Sequence, residues 1–193
     1  MDPAGRVRAA MATHPRERFL PASEVRRAGY DGPLDIGHGQ TNSQPRTVRA
    51  MLELLDVRPG QRVLDVGSGS GWTTALLAEL VGPTGSVLGL ERVPVLVVTG
   101  GANVEAAGMP WARVRAAVAG VLGAPEEGPF ERILVSAMAT RLPLELVAQL
   151  EAHGVLVVPV AGRMVRVVRD DTAPDGRRLS EHGHYRFVPL VTD

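Results

Sequence analysis

Between residues 62 and 160, short and continuously apolar runs alternate with longer segments of mixed character. The runs Arg62–Val66, Ser86–Leu90, Arg113–Ala117, Arg132–Ser136 and Val155–Val160 predict strands; Trp72–Leu80, Pro94–Ala107 and Leu144–Glu151 predict the helices between them. Strands that lack polar alternation have no face to offer to water, so they predict a parallel sheet covered by helices on both sides. Upstream, Val48, Met51, Leu52 and Leu55 repeat with helical spacing inside Thr47–Leu55, and Pro45 stands where a helix begins. Beyond residue 160 the pattern changes: Met164–Arg169 and His184–Leu190, joined by the turn-rich Asp170–Arg177 stretch, predict a hairpin rather than another crossover. The sum is an α/β fold with a sheet of about seven strands, parallel for most of its width and antiparallel at one edge.

Two stretches depart from this rhythm. Gly100 and Gly101 fall in the middle of the second helix, where each costs roughly 1 kcal/mol relative to alanine, so a shortened or interrupted helix is expected there. The first forty residues are arginine-rich, helical near Arg6–Met11 and Ser23–Arg27, then broken by Gly29, Gly32, Pro33, Gly37 and Gly39. They read as a cap in front of the sheet. With no repeat and no long linker, residues 1–193 read as one domain, a cap and loop over 1–45 followed by the sheet-bearing core over 46–193.

Composition narrows the possible functions. Hydrophobic residues at 45% and charged residues at 22% exclude a wholly disordered or fibrous chain. The absence of cysteine excludes thiolate catalysis, disulfides and cysteine-ligated metal sites. With 21 basic and 21 acidic residues there is no net field to favour nucleic acid or an anionic membrane. The N-terminus lacks a signal-peptide core and no apolar run approaches a membrane span, so a cytoplasmic location is expected; a monomer is the expected state.

Candidate chemistry begins directly after the first core strand. Val66-Gly67-Ser68-Gly69-Ser70-Gly71-Trp72 places three alternating glycines between a buried strand and a helix. Such a turn admits close approach of backbone to a ligand and aims free N–H groups at the carboxyl end of the sheet. The spacing differs from the Gly-x-Gly-x-x-Gly dinucleotide fingerprint. Asp65 precedes the turn, and Glu91, 24 residues after Gly67, ends the second strand at the distance expected of an acid that holds ribose hydroxyls. Two acids beside the turn suit a ligand with a ribose and a cationic group, and S-adenosylmethionine has both. A turn that is merely tight, or a nicotinamide cofactor, remain the alternatives on these residues alone.

A second candidate segment is Ile36-Gly37-His38-Gly39-Gln40-Thr41-Asn42-Ser43-Gln44-Pro45. Taken alone it reads as a polar loop with Ser43 as a helix N-cap. The run GHGQTNSQP, followed by VLDVGSGSGW, resembles the protein-L-isoaspartate O-methyltransferase family, whose usual first motif is close to GHGQTISQP. The similarity continues in HPRERFLP, in Glu91-Arg92-Val93-Pro94, in GAPEEGPFERILVSA over Gly123–Ala137, and in RFVPLV over Arg186–Val191. It implies a Rossmann-like methyltransferase fold and transfer of a methyl group from S-adenosylmethionine to the α-carboxyl of an L-isoaspartyl residue, as a step in protein repair. It further implies that Ser43 holds the acceptor carboxylate, and that Thr41, Asn42, Asp65, Gly67, Ser68, Gly69, Ser70, Gly71, Glu91, Arg92, Ala119 and Gly120 hold the cofactor along with it.

Two departures from the family pattern stand out. Val118-Ala119-Gly120 occupies the place of a Gly-Asp-Gly whose acid accepts a hydrogen bond from adenine, and Asn42 replaces an apolar residue. They leave open a specialised carboxylate methyltransferase acting on aspartyl residues or a small acid, and a cofactor-poor relative without catalysis. Other residues carry no assigned role. His38 braces a loop, His182 and His184 lack a third ligand for a metal site, Trp72 and Trp111 belong to core or cleft, and Arg16, Arg18, Arg26 and Arg27 form a solvated face that could meet an acidic peptide.

Overall fold

The computed structural model describes residues 2–191. Helix α1 (Pro3–Thr13) starts at Asp2, whose carboxylate accepts from the Gly5 amide, and two 3-10 turns follow at Arg16–Phe19 and Val25–Arg27. Strands β1 (Leu34–Gly37) and β2 (Gln40–Asn42) pair antiparallel, and α2 spans Pro45–Leu55. The core then runs β3 (Arg62–Val66), α3 (Trp72–Val81), β4 (Ser86–Glu91), α4 (Pro94–Ala106), β5 (Ala112–Ala116), β6 (Phe130–Val135), α5 (Leu144–Val147), β7 (Leu150–Val160), β8 (Arg163–Arg169) and β9 (Arg177–His184).

Seven strands form one sheet in the order β5-β4-β3-β6-β7-β8-β9. β3 to β7 are parallel, β8 is antiparallel to both neighbours, and the direction of winding reverses between β3 and β6. A crevice opens at such a reversal, beyond the carboxyl ends of the strands. Alternate side chains feed two cores: Val63 and Leu134 pack with α1, α2 and α3, whereas Leu64, Ile133 and Val135 pack on the opposite face with Leu146 and Leu150. Each fully buried leucine contributes about 2 kcal/mol. In α2 the buried face is Val48, Met51, Leu52 and Leu55, the set its periodicity predicts, joined by Thr47.

Three elements differ from the sequence reading. α4 continues through Gly100 because a Cβ there would lie 2.6 Å from the Gly69 carbonyl oxygen, and one at Gly71 would lie 2.6 Å from that of Gly100. The glycines bring helix and turn into backbone contact, which outweighs their poor helix propensity. α5 stops at Val147 because the chain is already returning to the sheet, with the Phe130 amide donating to the Gln149 carbonyl and Leu150 opposite Phe130. The last strand is Arg177–His184, not His184–Leu190: Arg169 pairs with Arg177 and Arg163 with His184, which exhausts β8. Residues 185–191 then leave the sheet and cross its carboxyl end, where the Met138 amide donates to the Val188 carbonyl and the Leu190 amide to that of Met138. Among the described residues no helix is long and apolar enough to cross a membrane.

Candidate functional site

The turn after β3 folds as a cradle. Gly67, Gly69 and Gly71 all have positive φ (81°, 54° and 85°), a region closed to most side chains, and Gly71 caps α3 without offering a side chain to its first turn. The Gly67 and Ser68 amides donate to the Leu90 carbonyl, locking the turn against β4. At the end of β4 the Glu91 carboxylate accepts from the Gly69 amide at 2.9 Å through one oxygen, and from the Arg92 and Val93 amides at 2.8 and 2.9 Å through the other. The acid is thus aimed by backbone donors, and each oxygen retains accepting capacity for a ligand hydroxyl.

A cleft lies over this cradle, and its two ends differ in chemistry. One end is polar, with Thr41, Asn42, Ser43, Ser70 and Thr73 at the start of α3; the other is aliphatic, with Ala117, Val118, Ala119, Val121 and Leu122, and Glu91 and Arg92 also lie on the wall. Val66, Leu90 and Trp72 and the tail residues Val188 to Val191 also line it. A second groove, lined by Gln44, Arg46, His184, Tyr185 and Phe187 among others, shares Thr41, Ser43, Ser136 and Val188 with the first. Ser43 therefore stands where the two spaces meet. It does not cap α2: the N-cap is Gln44, and the first turn is served by Asp31, which accepts from the Arg46 amide.

Of the residues singled out in the sequence, Thr41, Asn42, Ser43, Gly67, Ser68, Gly69, Ser70, Glu91, Arg92 and Ala119 line the cleft, whereas Asp65, Gly71 and Gly120 do not. Asp65 is fully buried behind the turn, where one oxygen accepts from the hydroxyls of Thr73 and Thr74 at 2.7 Å and the other has no hydrogen-bond partner among the described residues. Burial pushes its carboxyl up to about 6, against the two threonine hydrogen bonds and with help from the Glu91 charge. Gly71 serves α4 and the turn rather than a ligand, and Gly120 supplies a turn at φ 74°.

Arg16 overturns its reading as part of a solvated face. Its side chain is 4% exposed and lies over Trp72, its Nε donates to Asn42 Oδ1, and its guanidinium also serves the carbonyls of Tyr30, Gly32, Asn42 and Ser43. Desolvation lowers its pKa, opposed by the charges of Asp31 and Glu24. Arg18, Arg26 and Arg27 are exposed as expected. Trp72 sits at the cleft and donates to the His14 carbonyl, whereas Trp111 donates to that of Ala78 in the core. His38 occupies the β1–β2 turn at φ 58°, off the cleft, and His182 pairs with Ser180. Sequence reasoning assigned no role to Ser136 or Val188–Val191; the RFVPLV run was the signal for the latter.

S-adenosylmethionine fits this donor set. The aliphatic end suits an adenine ring, Glu91 a ribose, and the polar end beside the open first turn of α3 an amino-acid group, while a Cβ on Gly69 would come within 3.3 Å of Ile36 and crowd the cradle. A doubly wound sheet with this turn and acid at its reversal point defines an S-adenosylmethionine-dependent methyltransferase. The chain belongs to the protein-L-isoaspartate(D-aspartate) O-methyltransferase (PCMT) family, whose model matches residues 3–193. It is 43% identical over 190 residues to the protein-L-isoaspartate O-methyltransferase of Methanopyrus kandleri, covering 97% of this chain and 84% of that one. To the Methanothrix thermoacetophila enzyme of the same name it is 46% identical over 188 residues, covering 96% and 88%. A beta-aspartate methyltransferase (PCMT) structure from Plasmodium falciparum, in complex with S-adenosyl-L-homocysteine, superposes with a TM-score of 0.84 at 27% identity, covering 97% of this chain and 91% of that one.

Proposed function

We propose that the cleft transfers the methyl group of S-adenosylmethionine to the α-carboxylate of L-isoaspartyl residues, with Ser43 orienting the acceptor, and that the whole chain acts as one methyltransferase domain. The observation that carries the site assignment is the place of Ser43, shared by the cofactor cleft and the neighbouring groove, with no hydrogen bond engaging its hydroxyl among the described residues. Bound in the cleft, S-adenosylmethionine supplies a methyl group already activated by a sulfonium. An acceptor carboxylate is ionised at neutral pH, so the chain needs no general base. Its tasks are alignment and exclusion of water. The Ser43 hydroxyl donates to one acceptor oxygen and leaves the other free to attack. Arg16 holds the Ser43 carbonyl at 3.0 Å, which fixes the backbone from which that hydroxyl projects. Val188, Pro189 and Leu190 close the side of the cleft with apolar surface.

The test is a pair of peptides that differ only in carrying an isoaspartyl or an ordinary aspartyl residue. Methyl ester on the isoaspartyl peptide, decaying as succinimide forms, is the expected outcome. Equal or faster turnover of the aspartyl peptide or of a free small acid would overturn the assignment.

A further inference from the structure

The hydroxyl of Ser70 is where the cap, the hairpin and the glycine turn meet. Arg16 Nε donates to Asn42 Oδ1 at 2.7 Å, and because an arginine nitrogen only donates, the amide oxygen of Asn42 must face it. Asn42 Nδ2 is thereby turned toward Ser70 and donates to its Oγ at 3.0 Å. A lone pair of Ser70 is occupied by this bond, so its own proton points elsewhere. Ser70 lies on the cleft wall, and no protein acceptor for that proton is present among the described residues. Its carbonyl is held separately by Asn103 Nδ2 at 2.9 Å, which prevents the turn from swinging away. The polar atoms of Asn42 are therefore directed at Arg16 and Ser70 and not at the acceptor carboxylate.

We propose that Asn42 is a positioning residue that makes Ser70 a hydrogen-bond donor to the cofactor's α-carboxylate, a reading that rests on the cofactor placement argued above. The polar end of the cleft is where an amino-acid group belongs, since the first turn of α3 receives no side-chain cap there and its positive dipole end faces the space. An apolar side chain at 42 leaves the Ser70 hydroxyl to rotate. An amide clamped by a buried guanidinium does not, because reversing it would set donor against donor.

Asn42→Asp separates the two contacts. The aspartate still accepts from Arg16 but has no proton for Ser70, whose hydroxyl then donates back to Asp and shows the cleft only lone pairs. Calorimetric titration uses two ligands, S-adenosylhomocysteine and 5′-methylthioadenosine, which lacks the amino-acid end. Asn42→Asp and Ser70→Ala are each expected to weaken S-adenosylhomocysteine by about tenfold while leaving 5′-methylthioadenosine within about twofold. In the Ser70→Ala background the aspartate adds nothing further, whereas simple charge repulsion from the new carboxylate would persist there. Equal weakening of both ligands, an unchanged S-adenosylhomocysteine affinity, or additive losses in the double variant would overturn the proposal. If Asn42→Asp does not fold, Asn42→Ile, which leaves the Ser70 hydroxyl free to rotate, takes its place in the two-ligand comparison: a selective loss of S-adenosylhomocysteine affinity is expected, and affinities equal to wild type for both ligands overturn the proposal. Failure of the wild-type protein to bind either ligand would overturn the cofactor placement, and this inference with it.

Discussion

The two ends of the cleft are held in different ways. At the polar end a relay of hydrogen bonds sets direction: Arg16 fixes Asn42, Asn42 fixes Ser70, and Asn103 fixes the backbone beneath. At the aliphatic end Ala117, Val118, Val121 and Leu122 present side-chain surface without donors, Val118 and Val121 remain exposed, and a side-chain brace stands behind the wall. That brace is Gln149, which accepts from the Ala124 amide and donates to the Leu122 carbonyl. A site of directed hydrogen bonds rejects ligands that leave its groups unpaired, whereas an apolar wall discriminates only by shape and area. Selectivity for the amino-acid end of the cofactor should therefore exceed selectivity for its base.

The directed end also contains a liability that the aliphatic end lacks, the Asp65 carboxyl sealed beneath the glycine turn. Its pKa in the folded protein, about 6, lies above the ordinary 3.8, so the native state holds the proton more tightly than the unfolded chain. Stability from this group is complete below the unfolded value and is lost as pH rises through the folded one, a fall of up to about 3 kcal/mol between about pH 4 and 6. Asp65→Asn removes that dependence and keeps an acceptor for a threonine hydroxyl. Urea unfolding at pH 4 and pH 7.5 should show the variant gaining on wild type as pH rises. A constant difference between the two would refute the raised pKa.

Ser43 and Glu91 offer the next contrast. Ser43→Ala removes one hydrogen bond to a charged acceptor and is expected to lower turnover ten- to hundredfold, on the order of 1.5–3 kcal/mol, with S-adenosylhomocysteine affinity unchanged. Glu91→Gln should do the reverse, weakening the cofactor by about tenfold with a smaller effect on turnover at saturation, since the amide replaces one acceptor facing the Gly69 or the Arg92 and Val93 amides by a donor. Kinetics at saturating cofactor, set beside binding titrations, separate the two. If both variants lose cofactor affinity alike, Ser43 belongs to the cofactor and not to the acceptor.

Much of this arrangement was legible because it is local. Residues Arg62–Val66 form the predicted strand, Trp72 begins the predicted helix, and the glycine turn and Glu91 fall at the carboxyl ends of β3 and β4 as their spacing implies. What sequence reasoning missed depends on partners far along the chain. Arg16 sits in a charged run and reads as solvated; its burial depends on carbonyls at 30, 32, 42 and 43 that only the folded cap presents. Gly100 reads as a weak point in a helix until the Gly69 carbonyl is placed against it. Asp65 reads as a ligand-facing acid because the order of residues does not reveal that its side chain points toward the threonines of α3. The tail over 185–191 reads as a strand because it is apolar, and the register of β8 with β9 is what excludes it.

The smallest expected effect sharpens the comparison from the aliphatic side. Ala119 is exposed and lies on the cleft wall, at the place where the family resemblance implies an acid toward adenine. Ala119→Asp gives that end its first directed contact. One such hydrogen bond is worth about 0.5–1.5 kcal/mol, so S-adenosylhomocysteine and 5′-methylthioadenosine should both bind up to about tenfold more tightly, and by the same factor. Equality is the decisive reading, because the base is common to the two ligands and the amino-acid end is not. Asn42→Asp should move only the ligand that has a carboxylate, and the two substitutions combined should add within about 0.5 kcal/mol if the ends of the cleft act independently. A gain confined to S-adenosylhomocysteine would place residue 119 beside the amino-acid group and invert the assignment of the two ends.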